Sequence, residues 1–262
     1  MENSTADYRA KSPGTRAGWI NLSIAGIKLA PKLLKLVLAI TSVVAYSYLF
    51  TWQFALIIVS TIFIHELGHY AMMRHYGLKT KGIYLIPFFG GAAVSEEAFP
   101  TRRIEAVTAL MGPLVGFDLS IIAIGIYQLT SDPMWAAVAS WVALVNLFNL
   151  LPVTPLDGGR IIKSSIVSLN SRLSTWLFLA MMALAVYVMV TQQLYIFILL
   201  LIIGTIEFFA DRRRTQIIPK MNARESWLTV GAWLLLVGAL WFVMLIMSHE
   251  PGAAAAMHVL QG

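Results

Sequence analysis

No cysteine occurs in the 262 residues, which excludes disulfides, thiolate metal sites and a cysteine nucleophile. Charge is scarce. Asp, Glu, Lys and Arg make up 12% of the chain, well under the level of about a quarter usual in soluble domains. There is no internal repeat, no low-complexity tract beyond a short AAAA near the carboxyl end, and no loop long enough to hold a soluble domain. A cleavable signal peptide is not expected, because the first thirty or so residues are polar or alternating and the first long apolar run continues at bilayer length. Histidines number five, and two of them, His249 and His258, fall in the carboxyl-terminal tail. That is too few for a membrane di-iron desaturase.

What the chain has in excess is apolar surface: 58% hydrophobic residues and a mean hydropathy of +0.75. Bilayer-crossing helices need about 20 mostly apolar residues. Seven runs approach that length: Leu33 to Phe50, Gln53 to Met73, Ile104 to Leu129, Met134 to Leu151, Trp176 to Thr191, Leu194 to Phe209 and Trp227 to Met247. The fifth and sixth are short. All 19 basic residues fall in the amino-terminal segment or between runs two and three, four and five, or six and seven. With seven spans these segments share one face, and basic residues mark the cytoplasmic face. The amino terminus is therefore expected inside and the carboxyl terminus outside, in a multi-pass protein of the bacterial inner membrane. The net charge of +6 is read as a topology signal, and nucleic-acid binding is not expected.

Two stretches break the helical pattern. In INLSIAGIKL, Ile20, Leu22 and Ile24 alternate with small or polar residues, which is strand periodicity. GIYLIPFFGGAAV, from Gly82 to Val94, is apolar but interrupted by Pro87, Gly90 and Gly91. It fits a hairpin or small sheet better than a span, because irregular backbone at membrane depth survives only where protein or water satisfies it.

The second span carries HELGH. His65 and His69 lie four residues apart, so both imidazoles leave one helix face, with Glu66 beside them. This is H-E-x-x-H spacing: two imidazoles for a zinc ion that activates a water, and a glutamate that takes the water's proton, a combination suited to amide hydrolysis. Arg74 marks the inner boundary of the span, which places His65 roughly 13 Å below it. A catalytic zinc takes a third protein ligand, and the sequence offers three. His75 has the spacing of an extended motif, but Met72 stands where a turn-permitting glycine belongs. A continuing helix then carries His75 away from the pair. Glu207 lies one turn from Asp211 and the Arg212 to Arg214 run, with which it is expected to pair. Asp157 is the strongest candidate: it lies near the end of NLFNLLPVTPLDGGR, where Pro152 and Pro155 interrupt the fourth span and Gly158 and Gly159 finish it. Spans two and four both run inward, so the aspartate can meet the histidines. Asn149 is expected near the metal, able to polarise a scissile carbonyl, with Asn146 its competitor. Asp118, in the third span, is read as structural.

HELGH, FFGGAAV, MGPLVG and NLLPVTPLDGG together resemble the site-2 protease family of intramembrane zinc metalloproteases, over roughly residues 20 to 160. The resemblance implies one zinc held by His65, His69 and Asp157, with Glu66 as general base and Asn149 near the substrate. The substrate it implies is itself a membrane-spanning helix. It points to the smaller members, without PDZ or CBS domains. A helix must unwind before its peptide bonds can be attacked, and the 82–94 segment could hold the opened strand by backbone pairing, with Gly90 and Gly91 allowing close approach. Those glycines could equally only turn a hairpin. A prenyl-type membrane protease using Glu207 as ligand, or a zinc-containing transporter or receptor, remain the other readings.

The expected fold is thus mainly α: one integral membrane domain over 1–262, with about seven transmembrane helices and a small membrane-associated β-hairpin or sheet around 20–29 and 82–94. Its core is about 20–160, and further helices follow over 174–248.

Overall fold

The computed structural model describes residues 16–49, 51–88, 90–191, 198–214, 218–250 and 253. The chain is mostly helical: α1 (Arg16–Leu49), α2 (Trp52–His75), α3 (Arg102–Thr130), α4 (Pro133–Asn149), α5 (Asp157–Leu169), α6 (Ser171–Thr191), α7 (Ile198–Arg214) and α8 (Ala223–Met247). Between α2 and α3 lie strands β1 (Thr80–Ile86) and β2 (Gly90–Ser95). Local chemistry marks the helix starts. The Thr51 and Thr101 hydroxyls accept from the backbone N–H groups of Phe54 and Ile104. Asp132 caps α4 ahead of Pro133, and Asn222 and Glu225 close a capping box on α8.

Among the described residues, five helices are long and apolar enough to cross a membrane: α1, α2, α3, α6 and α8. The expectation of about seven spans is met only to that extent. Helix α7 covers the described part of the sixth run, and α4, in the fourth, has 17 residues, or about 26 Å at 1.5 Å per residue. That is somewhat short of a hydrocarbon core about 30 Å thick.

The predicted hairpin at 82–94 is present. Its strands pair antiparallel with Ile83 opposite Ala93 and Leu85 opposite Gly91, and Gly90 takes φ +95° at the turn. The strand expected around 20–29 is corrected: those residues lie inside α1. Ile20, Ile24 and Ile27 satisfy helical spacing as well as Ile20, Leu22 and Ile24 satisfy alternation. A helix meets its own backbone hydrogen bonds, whereas among the described residues the sheet pairs β1 with β2 alone. Gly158 and Gly159 are corrected likewise. They open α5 instead of finishing the fourth span, because the 150–156 loop folds back over them: a Cβ on Gly158 would strike the Leu150 carbonyl, and one on Gly159 the Thr154 nitrogen.

Helix α3 is central, packed against α2, α4, α5 and α8. The main apolar core joins Ala109, Ala143, Leu144, Ile161, Leu240 and Met244. Helix α5 is built inside out. Its polar residues Asp157, Lys163, Ser164 and Ser165 are buried, and Glu105 of α3 receives two of them: Lys163 Nζ at 3.4 Å and the Ser164 hydroxyl at 2.9 Å. Arg102 Nη1 donates to the same carboxylate at 2.8 Å.

Candidate metal centre

His65 and His69 stand one turn apart on α2, and Asp157 opens α5. The three donor atoms meet. His65 Nε2 lies 3.0 Å from His69 Nε2, and Asp157 Oδ2 lies 3.1 Å from the first and 3.0 Å from the second. All three side chains are buried, with at most 6% of any residue exposed. This is the one three-residue group of potential metal ligands among the described residues.

Hydrogen bonds on the far side of each ring decide what faces the centre. His69 Nδ1 is 2.7 Å from the Thr108 carbonyl, which can only accept, so Nδ1 carries the proton. His65 Nδ1 is 2.8 Å from Asn146 Oδ1. The Asn146 amide is itself oriented, because its Nδ2 donates to the Val142 carbonyl at 2.8 Å. In the neutral rings, both Nε2 atoms therefore turn lone pairs inward, toward each other and toward a carboxylate oxygen. Such a convergence is repulsive until a cation occupies it. The donor set of two imidazoles and one carboxylate suits zinc, and the triangle is a few tenths of an ångström tighter than the edges of about 3.3 Å expected for donors about 2.0–2.1 Å from a tetrahedral ion.

The space for this group comes from α3. A Cβ at Gly112 would strike Nε2 of both histidines, and one at Gly116 would strike the Asn146 amide. The two glycines of MGPLVG thus give the ligand set and its support a smooth wall, at the four-residue spacing that lets membrane helices approach closely.

Glu66 is buried beside the pair, and its carboxylate is held from the hairpin. Ala93 N–H donates to Glu66 Oε2 at 2.7 Å, and Gly91 packs so closely on Glu66 that a Cβ there would meet its Cγ. Ala93 faces Ile83 of β1, yet its N–H points to Glu66, so this pair is a non-hydrogen-bonded one. The edge of β2 away from β1 therefore runs along the centre.

Other candidates are placed apart from the ligand triangle. Asn149 ends α4 and donates from Nδ2 to its own helix at Val145, 3.1 Å away, whereas Asn146 touches His65. His75 is exposed at the end of α2, with its ring beside Tyr76. Asp118 is exposed on α3. The side chain of Glu207, on α7, lies outside the described residues. The second oxygen of Asp157 faces Arg160 Nη1 at 3.7 Å, and that guanidinium lies over the Phe99 ring, 5.3 Å from its centroid. Of the supports of the histidines, the sequence offers Asn146 only as a competitor of Asn149 and gives no sign of the Thr108 carbonyl. The pair of glycines four apart in MGPLVG was the available sign that a crowded contact lies here.

Comparison with known proteins finds partial similarities. The sequence model of Peptidase family M50 matches residues 53–132. Zinc metalloprotease MJ0392 of Methanocaldococcus jannaschii is 32% identical over 116 residues, covering 42% of this chain and 33% of that protein. Stage IV sporulation protein FB of Bacillus subtilis is 28% identical over 103 residues, covering 38% of this chain and 36% of that protein. The chain thus spans about a third of the length of these relatives. A solved structure described as a site-2 protease from Methanocaldococcus jannaschii aligns with 71% of this chain and 90% of its own, at 23% identity and a TM-score of 0.46. Over residues 53–132 the chain is thus similar to peptidase family M50, and over 116 residues to a zinc metalloprotease.

Proposed function

We propose that this protein is a zinc-dependent membrane protease that hydrolyses peptide bonds within or near the transmembrane helices of other proteins, releasing a fragment or clearing a remnant. The observation that carries the reading is the convergence of two imidazole nitrogens and one carboxylate oxygen at a buried point, next to a glutamate that the metal does not need. One zinc ion held by His65, His69 and Asp157 would supply Lewis acidity, polarising a water and the scissile carbonyl. Glu66 accepts the proton of the attacking water and returns it to the departing amine nitrogen. In this reading Asn149, at the end of the helix that supports His65, contacts the substrate carbonyl. The edge of β2 away from β1, with Gly90 at its turn and Gly91 against Glu66, takes the unwound substrate as an added strand. In this reading the hairpin and Arg74 lie toward the cytoplasm, the amino terminus is inside, the carboxyl terminus is outside, and the membrane is the bacterial inner one.

The test pairs metal content with cleavage. Purified protein in bicelles should bind one zinc per chain and cut a helical membrane substrate, and Glu66→Gln should keep the zinc while losing the cleavage. Cleavage by Glu66→Gln at the parent rate would overturn the mechanism.

A further inference from the structure

The two histidines of the centre are supported in different ways. His69 is oriented by a main-chain carbonyl, that of Thr108, which no side-chain replacement removes. His65 is oriented by a side chain, and that side chain is fully enclosed: Asn146 has no exposed surface. Its oxygen accepts from His65 Nδ1–H, its nitrogen donates one helical turn back to Val142, and Gly116 of α3 packs against its amide with no room for a Cβ. An amide oriented at both ends, in a slot with no room to turn, fixes which ring nitrogen of His65 holds the proton.

We infer that Asn146, seated against Gly116, is a positioning residue for the metal centre: it sets the tautomer and ring orientation of His65 so that Nε2 is free to bind. The inference deepens the zinc reading above and rests on it. Partners of this kind on the outer nitrogen of a ligating histidine contribute about 10- to 100-fold to metal affinity. Asn149, the more conspicuous asparagine in the sequence, spends its amide N–H on its own helix and does not support His65.

The experiment measures zinc affinity by competition with a chelator, and the ring tautomer of His65 in metal-free protein by 15N NMR of histidine-labelled samples. Asn146→Leu keeps the volume but removes the acceptor, and is expected to weaken zinc about 10- to 100-fold and to mix the His65 tautomers. Asn146→Asp keeps an acceptor facing Nδ1 and is expected to hold both the affinity and the tautomer. Gly116→Ala should imitate Asn146→Leu, although alanine is the better helix former by about 1 kcal/mol. Gly125→Ala, on the same helix with open space around it, should leave both readouts unchanged.

Parent affinity and an unchanged tautomer in Asn146→Leu would overturn the inference. Equal losses in Asn146→Leu and Asn146→Asp would overturn it too, since packing alone would then explain them. A parent protein that binds no zinc would refute the proposed function instead, and the tautomer comparison would still decide the role of Asn146.

Discussion

At the scale of single residues, space at this centre is as decisive as charge. His65, His69 and Asp157 carry the donors, but Gly112 decides whether they can approach, because any side chain there would enter the volume of both Nε2 atoms. Gly112→Ala is expected to abolish stoichiometric zinc, as read by elemental analysis of purified protein, while the helix itself gains intrinsic stability of about 1 kcal/mol. His75→Gln should leave zinc content at the parent level, because His75 stands exposed at the helix end. The histidine pair could be read from sequence because four-residue spacing in a helix fixes a shared face whatever the surroundings. The supports could not be read so, since choosing between Asn146 and Asn149 needs the position of a ring that is 81 residues away in the chain.

At the scale of elements, α5 and the hairpin place the two carboxylates of the site. Helix α5 buries its polar face, so in sequence its lysine, serines and arginine look like a solvent-facing surface, and this helix was missed. Glu105 answers that face. Glu105→Gln would leave Lys163 and Arg102 enclosed beside an uncharged amide, and breaking a buried ion pair from one side costs about 3–5 kcal/mol. A lowered thermal unfolding midpoint in detergent, with weaker zinc binding because α5 carries Asp157, is the expected result. The hairpin acts on Glu66. Ala93→Pro removes the N–H that holds Glu66, yet that N–H makes no bond to β1, and proline is tolerated at a strand edge. Zinc content should stay at the parent level while cleavage falls by about tenfold or more, since a positioned general base contributes about 10²–10⁴-fold.

For the whole molecule, the bilayer sets the constraints. Among the described residues, five helices are long and apolar enough to cross it, and the centre is assembled where α2, α3, α4 and α5 meet. The absence of cysteine makes the proposed orientation directly testable. Lys79→Cys, on the exposed segment ahead of β1, should react with an impermeant maleimide in inverted vesicles and stay unlabelled in right-side-out ones. The opposite pattern would reverse the orientation. Acidification and chelators should both release the metal, because each ligand binds only when its donor atom is unprotonated.

The sequence by itself determined the membrane character, the helix of the histidine pair, the hairpin at 82–94 and the candidacy of Asp157. Each depends on composition or on short-range periodicity, which the chain carries locally. The tertiary structure decided that Asp157 reaches the histidines, that Asn146 and the Thr108 carbonyl orient them, that Ala93 N–H holds Glu66, and that residues 20–29 are helical. These depend on backbone groups and packed glycine faces from distant segments, and neither a carbonyl's direction nor the space beside a glycine is written in residue type.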